Sequence, residues 1–148
     1  MMAFTLLAKS DHEYAIGELQ RAVDDCVKLG TKPIAQAADR HESRAFYACG
    51  TVFALAASGF ARRHGGSDFF DFLKPLLSRH QTDRHVGSAE WLDHFATLGG
   101  EPGAADTMRS MIERGSSQPV KDIETILKSA DVPLHVVGNA IVLASTAI

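Results

Sequence analysis

Seventeen consecutive residues, 45 to 61, carry no formal charge between Arg44 and Arg62 in RAFYACGTVFALAASGFAR. No proline interrupts the stretch, and Ala48, Ala54, Leu55, Ala56, Ala57 and Ala61 are compatible with helix. Its small residues fall all round the helix and permit neighbours on several sides, as in a central core helix. A membrane span is the rival reading. The stretch is at the short limit for a span and is rich in Ala, Gly, Ser and Thr rather than Leu and Ile. Gly50 and Gly59 each cost roughly 1 kcal/mol of helix stability relative to Ala. A glycine kept in such a place often marks the close approach of another backbone.

The remaining chain supplies the neighbours. With 148 residues, a net charge of -3 and 45 % hydrophobic residues, the sequence is that of one helical domain over 1–148. A chain of this length buries roughly 70 % of its unfolded surface. The mild acidity gives no reason to expect nucleic acid or a membrane as partner. Cys26 and Cys49 both fall on apolar helix faces and read as buried free thiols. Residues 3 to 8 are apolar and short, an edge strand or an extended lead-in. They lack the basic region and the length of a secretory signal. The default location is therefore cytoplasmic, with export of a larger parent left open.

In chain order, Asp11 caps a helix that runs to about Leu29, with Gly30 beyond its end. Ile16, Leu19, Val23, Cys26 and Val27 form its apolar stripe. Pro33 opens a short helix to about Arg40. The central helix spans about 43 to 64 and stops at Gly65-Gly66. Ser67 caps a helix to about Arg79, with Phe69, Phe72, Leu73, Leu76 and Leu77 inward and Pro75 expected to kink or split it. His80 to Gly87 is a polar loop. Ser88 caps a helix to about Leu98, and further helices begin at Glu101-Pro102 and at Pro119. Leu134 to Ile148 reads as a strand, a short helix or a partly ordered tail. The expected class is all-α, about seven helices around the central one.

Few constellations carry chemistry. His41-Glu42-Ser43-Arg44 starts like the zinc motif HExxH, but Ala45 stands where the second imidazole must be, one helical turn on. Glu42 is then a surface residue that favours the positive helix end. His80, Asp83, His85 and His94 gather around one loop and could hold a metal, though a solvated loop accounts for them as well. Asp24 and Asp25 are adjacent, diverge on a helix and cannot act as an acid/base pair. No nucleophile elbow and no glycine-rich phosphate loop is present.

From about Ser43 to Pro133, the order of signals is similar to the C-terminal helical region of gluzincin zinc aminopeptidases, of the glycyl-aminopeptidase-like and leukotriene-hydrolase-like groups. In that family a helix downstream of the zinc motif begins Tyr-x-Lys-Gly. Here Tyr47-Ala48-Cys49-Gly50 matches in tyrosine and glycine, with Cys49 in place of lysine. Ala54-Leu55, Arg62-Arg63, Gly65-Gly66 and Asp68-Phe69-Phe70 follow in order, then Trp91-Leu92, Phe95 and Val132-Pro133-Leu134.

The resemblance implies a wall of a substrate cleft that is not catalytic alone. The family's HExxH and its downstream glutamate lie upstream of this region and are absent here. Without them there is no Lewis acid and no activated water. Zinc is implied for a parent protein and for no residue of this chain. The implied partner is the catalytic domain of that parent. Self-association, with a non-enzymatic interaction or scaffold role, is the alternative. The family analogy makes Tyr47 a donor to the oxyanion of a tetrahedral intermediate. The competing reading is a core tyrosine whose hydroxyl bonds to backbone.

Overall fold

The computed structural model describes residues 10–99 and 102–148. The lead-in expected at 3–8 lies outside them, as do Gly100 and Glu101. Six helices are described: α1 (His12–Leu29), α2 (Ser43–Arg63), α3 (Phe69–Arg79), α4 (Ser88–Gly99), α5 (Pro102–Glu113) and α6 (Pro119–Ser129). A two-stranded antiparallel hairpin, β1 (Leu134–Val137) and β2 (Ala140–Leu143), follows. The fold is all-α apart from this hairpin.

The central helix is α2. Every residue from Val52 to Ala61 is buried, because α1, α3, α4, α5 and α6 contribute to one core around it. It is long and apolar enough to cross a membrane, yet 72 % of that window is buried inside the fold. Its aromatic side is built by Phe60 against Phe95, with ring centroids 4.5 Å apart. Phe72 and Trp91 extend that cluster, 5.1 Å apart.

The two glycines of α2 have opposite surroundings. A Cβ on Gly59 would lie 2.3 Å from the carbonyl oxygen of Ala130, so the end of α6 sits against this helix because the side chain is missing. A Cβ on Gly50 would meet nothing within 4 Å. Gly50→Ala is therefore expected to raise stability by about 1 kcal/mol through helix propensity. Gly59→Ala is expected to lower it by about 1–3 kcal/mol through overpacking. Chemical denaturation of the two variants checks the opposite signs.

Several local expectations need correction. The two cysteines are not free: Cys26 and Cys49 form a disulfide with Cα atoms 4.8 Å apart. They lie on the facing stripes of α1 and α2, and that separation is within the range a disulfide bridges. The segment after Pro33 forms a single 3-10 turn, Ile34–Gln36, not a helix to Arg40. Pro75 does not split α3, which is continuous from Phe69 to Arg79. It lies on the solvent side, where the carbonyl it leaves without a helical donor can be hydrated. Leu77 is 52 % exposed, not inward.

The caps differ too. At α3 the cap is Asp68, whose carboxylate accepts from Phe70 N at 2.8 Å, while Ser67 donates to Asp71. At α4 the carbonyl of Gly87 accepts the first helical bond, from Trp91 N at 3.1 Å. The Glu90 carboxylate reaches back to accept from Gly87 N at 2.9 Å. Leu134 to Leu143 is the hairpin, with Ile141 and Leu143 buried and Val137 and Val142 exposed. Gly138 takes φ +61° at its turn, a conformation open to glycine.

Candidate functional site

The first turns of α2 carry most of the exposed residues of the central helix. Ala45, Ala48, Cys49 and Val52 are buried. Phe46 and Tyr47 point away from the core, 59 % and 72 % exposed. Their rings meet edge to face, with centroids 5.8 Å apart. The ridge they form separates two hollows.

On the α1 side lies a polar hollow of about 330 Å³, lined by Tyr47, Thr51, Arg44, Asp25, Arg21 and Glu18 among others. Its charges are paired. Arg44 donates two bonds to the Asp25 carboxylate, at 2.7 and 2.8 Å. Arg21 pairs with Glu18. Thr51 Oγ1 donates to the Tyr47 carbonyl at 2.8 Å. The Tyr47 hydroxyl has no hydrogen-bond partner among the described residues.

On the other side lies an apolar hollow of about 360 Å³ between α2, α3, α4 and α5. Phe46, Gly50, Phe53 and Ala54 form its α2 side, and Phe69, Val86, Trp91 and Ile112 complete much of the rest. Open Gly50 leaves a gap in the ridge between Phe46 and Phe53 on one helix face. This hollow was not expected from the sequence. The signal was present in Phe46, Gly50, Phe53 and Ala54, whose spacing puts all four on one side of a helix.

The other candidate groups do not join this site. Glu42 stands at the start of α2 but caps no helical N–H. Its carboxylate accepts from Lys32 at 2.8 Å and from Arg40 at 3.0 Å, and those bonds hold it below the usual carboxylate range. His41 is exposed, in a left-handed conformation with φ +57°. Asp24 accepts from Gln20 at 2.9 Å while Asp25 pairs with Arg44, so the two carboxylates diverge.

The histidines of the 80–94 region separate. His80 pairs with Asp83 at 3.0 Å on the surface, and Asp83 also accepts from His85 N. These contacts hold Asp83 below its ordinary range. His94 is buried between α3 and α4. Its Nδ1 accepts from Arg79 and its Nε2 donates to the Phe72 carbonyl at 2.9 Å. Among the described residues, no three His, Cys, Asp or Glu side chains converge as a metal site.

Burial pushes His94 below the ordinary imidazole value, against the bond to Phe72 and with help from the Arg79 charge. The unfolded chain takes up this proton near the ordinary value, and the folded chain only at lower pH. Stability from the site is therefore complete above about pH 6.5 and falls as the pH drops below it. Denaturation midpoints measured between pH 7.5 and pH 5 should show this fall. His94→Gln keeps a donor for Phe72 and should flatten it; an unchanged slope would exclude His94 as its source.

Comparison of the chain with protein-family models, with curated proteins and with solved structures finds no match.

Proposed function

We propose that this chain is the helical wall of a substrate cleft of the gluzincin aminopeptidase type, with Tyr47 as its oxyanion donor. The supporting observation is the setting of Tyr47. It stands at the start of the central helix, projects from the core, and offers a hydroxyl that nothing within the described fold engages. A donor that stabilises developing negative charge must be held in place by its backbone and remain uncommitted at its tip. The disulfide at Cys49 and the buried faces of Ala45 and Ala48 fix the helix that carries it. Phe46 and the apolar hollow beside it then provide a surface for apolar groups of a substrate or of an adjoining domain.

The residues present do not fit a zinc site, since Ala45 replaces the second histidine. The Lewis acid and the attacking water therefore come from another segment carrying HExxH. This chain alone has no peptidase activity under the proposal. The test is whether HExxH occurs upstream of residue 1 in the same reading frame, or in a chain that co-purifies with this one. A native form that lacks the motif on both counts overturns the proposal. It would leave a binding module, for which the apolar hollow is the supporting feature.

A further inference from the structure

The hairpin has two edges, and they are treated differently. Its two-residue turn makes Val137 and Ala140 a pair that exchanges backbone bonds across the strands, and the alternation runs on from there. Ala140 and Val142 thus face β1, while the backbone groups of Ile141 and Leu143 point outward. Gln20 of α1 takes those outward groups. Its Nε2 donates to the Ile141 carbonyl at 2.7 Å, and its Oε1 accepts from Leu143 N at 2.8 Å. One side-chain amide occupies the β2 edge as a neighbouring strand would.

Among the described residues, the β1 edge has no such cover. By the same alternation, Leu134 and Val136 turn their N–H and C=O groups outward. No described residue hydrogen-bonds to them. Val136 is 38 % exposed and Val137 65 % exposed. Natural edges of this kind are blunted with Lys, Pro or a bulge. The strand Leu134-His135-Val136-Val137 has none of these and is four residues long.

We propose that β1 is a strand-pairing surface for a second copy of this chain. The two β1 strands lie antiparallel about a twofold axis at His135, and the two hairpins become one four-stranded sheet. In that register Leu134 of each copy exchanges both backbone bonds with Val136 of the other, and the outward groups of both strands are satisfied. The edge is self-complementary, because a twofold presents the same row of donors and acceptors to itself. The strand bears no carboxylate or ammonium that would select a partner of opposite charge. The two His135 rings are neighbours across the axis. Because Gln20 closes the β2 edge, each copy offers one open edge among its described residues, and growth stops at two. The β1 edge shares no residue with the Tyr47 site, so strand pairing stands apart from the peptidase reading.

The test is sedimentation of the purified full chain over a wide concentration range. A reversible monomer–dimer equilibrium is expected, with slowed hydrogen exchange at the Leu134 and Val136 amides in the dimer. Val136→Pro removes an outward N–H and none of the bonds inside the hairpin, so the fold should survive while dimerisation weakens about tenfold or more. His135→Lys leaves every backbone bond in place but sets two charges opposite each other, and should weaken the dimer as well. A chain that stays monomeric throughout overturns the proposal. So does a dimer that survives Val136→Pro, assembly beyond two copies, or a dimer lost on Phe46→Ser, which would place the contact at the apolar hollow.

Discussion

Reduction of the Cys26–Cys49 bond, or its replacement by Cys26→Ala with Cys49→Ala, is expected to lower the unfolding free energy by about 3 kcal/mol. The two cysteines are 23 residues apart, and the bond closes the chain from α1 through the 3-10 turn into α2. Cutting it returns to the unfolded chain the freedom of a loop of that length. The alanines add the loss of two wholly buried sulfurs. Domains of this size are stable by about 5–15 kcal/mol, so the effect is a large fraction of the total. Urea denaturation with and without reductant measures it. Equal midpoints for the oxidised and reduced forms would show that the packing of α1 on α2 is sufficient without the bond.

The bond also changes what the cysteines say about the cell. Free thiols would have agreed with the cytoplasmic default. A disulfide persists in oxidising compartments, so the bond lends that default no support. Nothing in the spacing of Cys26 and Cys49 signals the pairing, because spacing along the chain does not say which stripes face each other. Only the packing of α1 on α2 brings the two together.

The same distinction separates what could be read in the sequence from what could not. Local signals were legible. The uncharged run gave the central helix, Asp11 gave the start of α1 with its carboxylate accepting from Tyr14 N at 3.0 Å, and Gly59 gave a close backbone approach. Pro119 opened α6 at its first turn. Pro75 misled because its effect depends on the side of the helix it occupies, and it faces solvent. The stretch after Pro33 misled because a proline start without a sustained apolar stripe supports a turn and no more. The hairpin was half legible. Gly138-Asn139 is a two-residue turn signal, and the inward Ile141 and Leu143 alternate with outward Ala140 and Val142. What could not be read was Gln20, which looks like one more polar residue on α1 until β2 lies beside it. The apolar hollow is similar. Phe46 and Trp91 come from helices whose relative placement no local pattern specifies.

Tyr47→Phe should separate a role in catalysis from a role in the fold. The ring is 72 % exposed and the hydroxyl bonds to nothing described, so its removal is expected to change stability by no more than about 0.5 kcal/mol. In a form of the protein that carries the HExxH segment, the same change should lower kcat by about 10²–10³-fold, as loss of one oxyanion donor does. KM should change little, because the hydrogen bond forms to charge that develops only in the transition state. The polar hollow supplies the control. Arg44→Lys loses the two-pronged bond to Asp25 and leaves the Tyr47 hydroxyl in place. If Arg44→Lys lowered turnover as much as Tyr47→Phe, the hollow would be acting through the placement of α2 and not through the phenol. If Tyr47→Phe left kcat intact in the zinc-bearing form, Tyr47 would be an exposed surface residue, and the oxyanion donor would have to be sought elsewhere in the cleft.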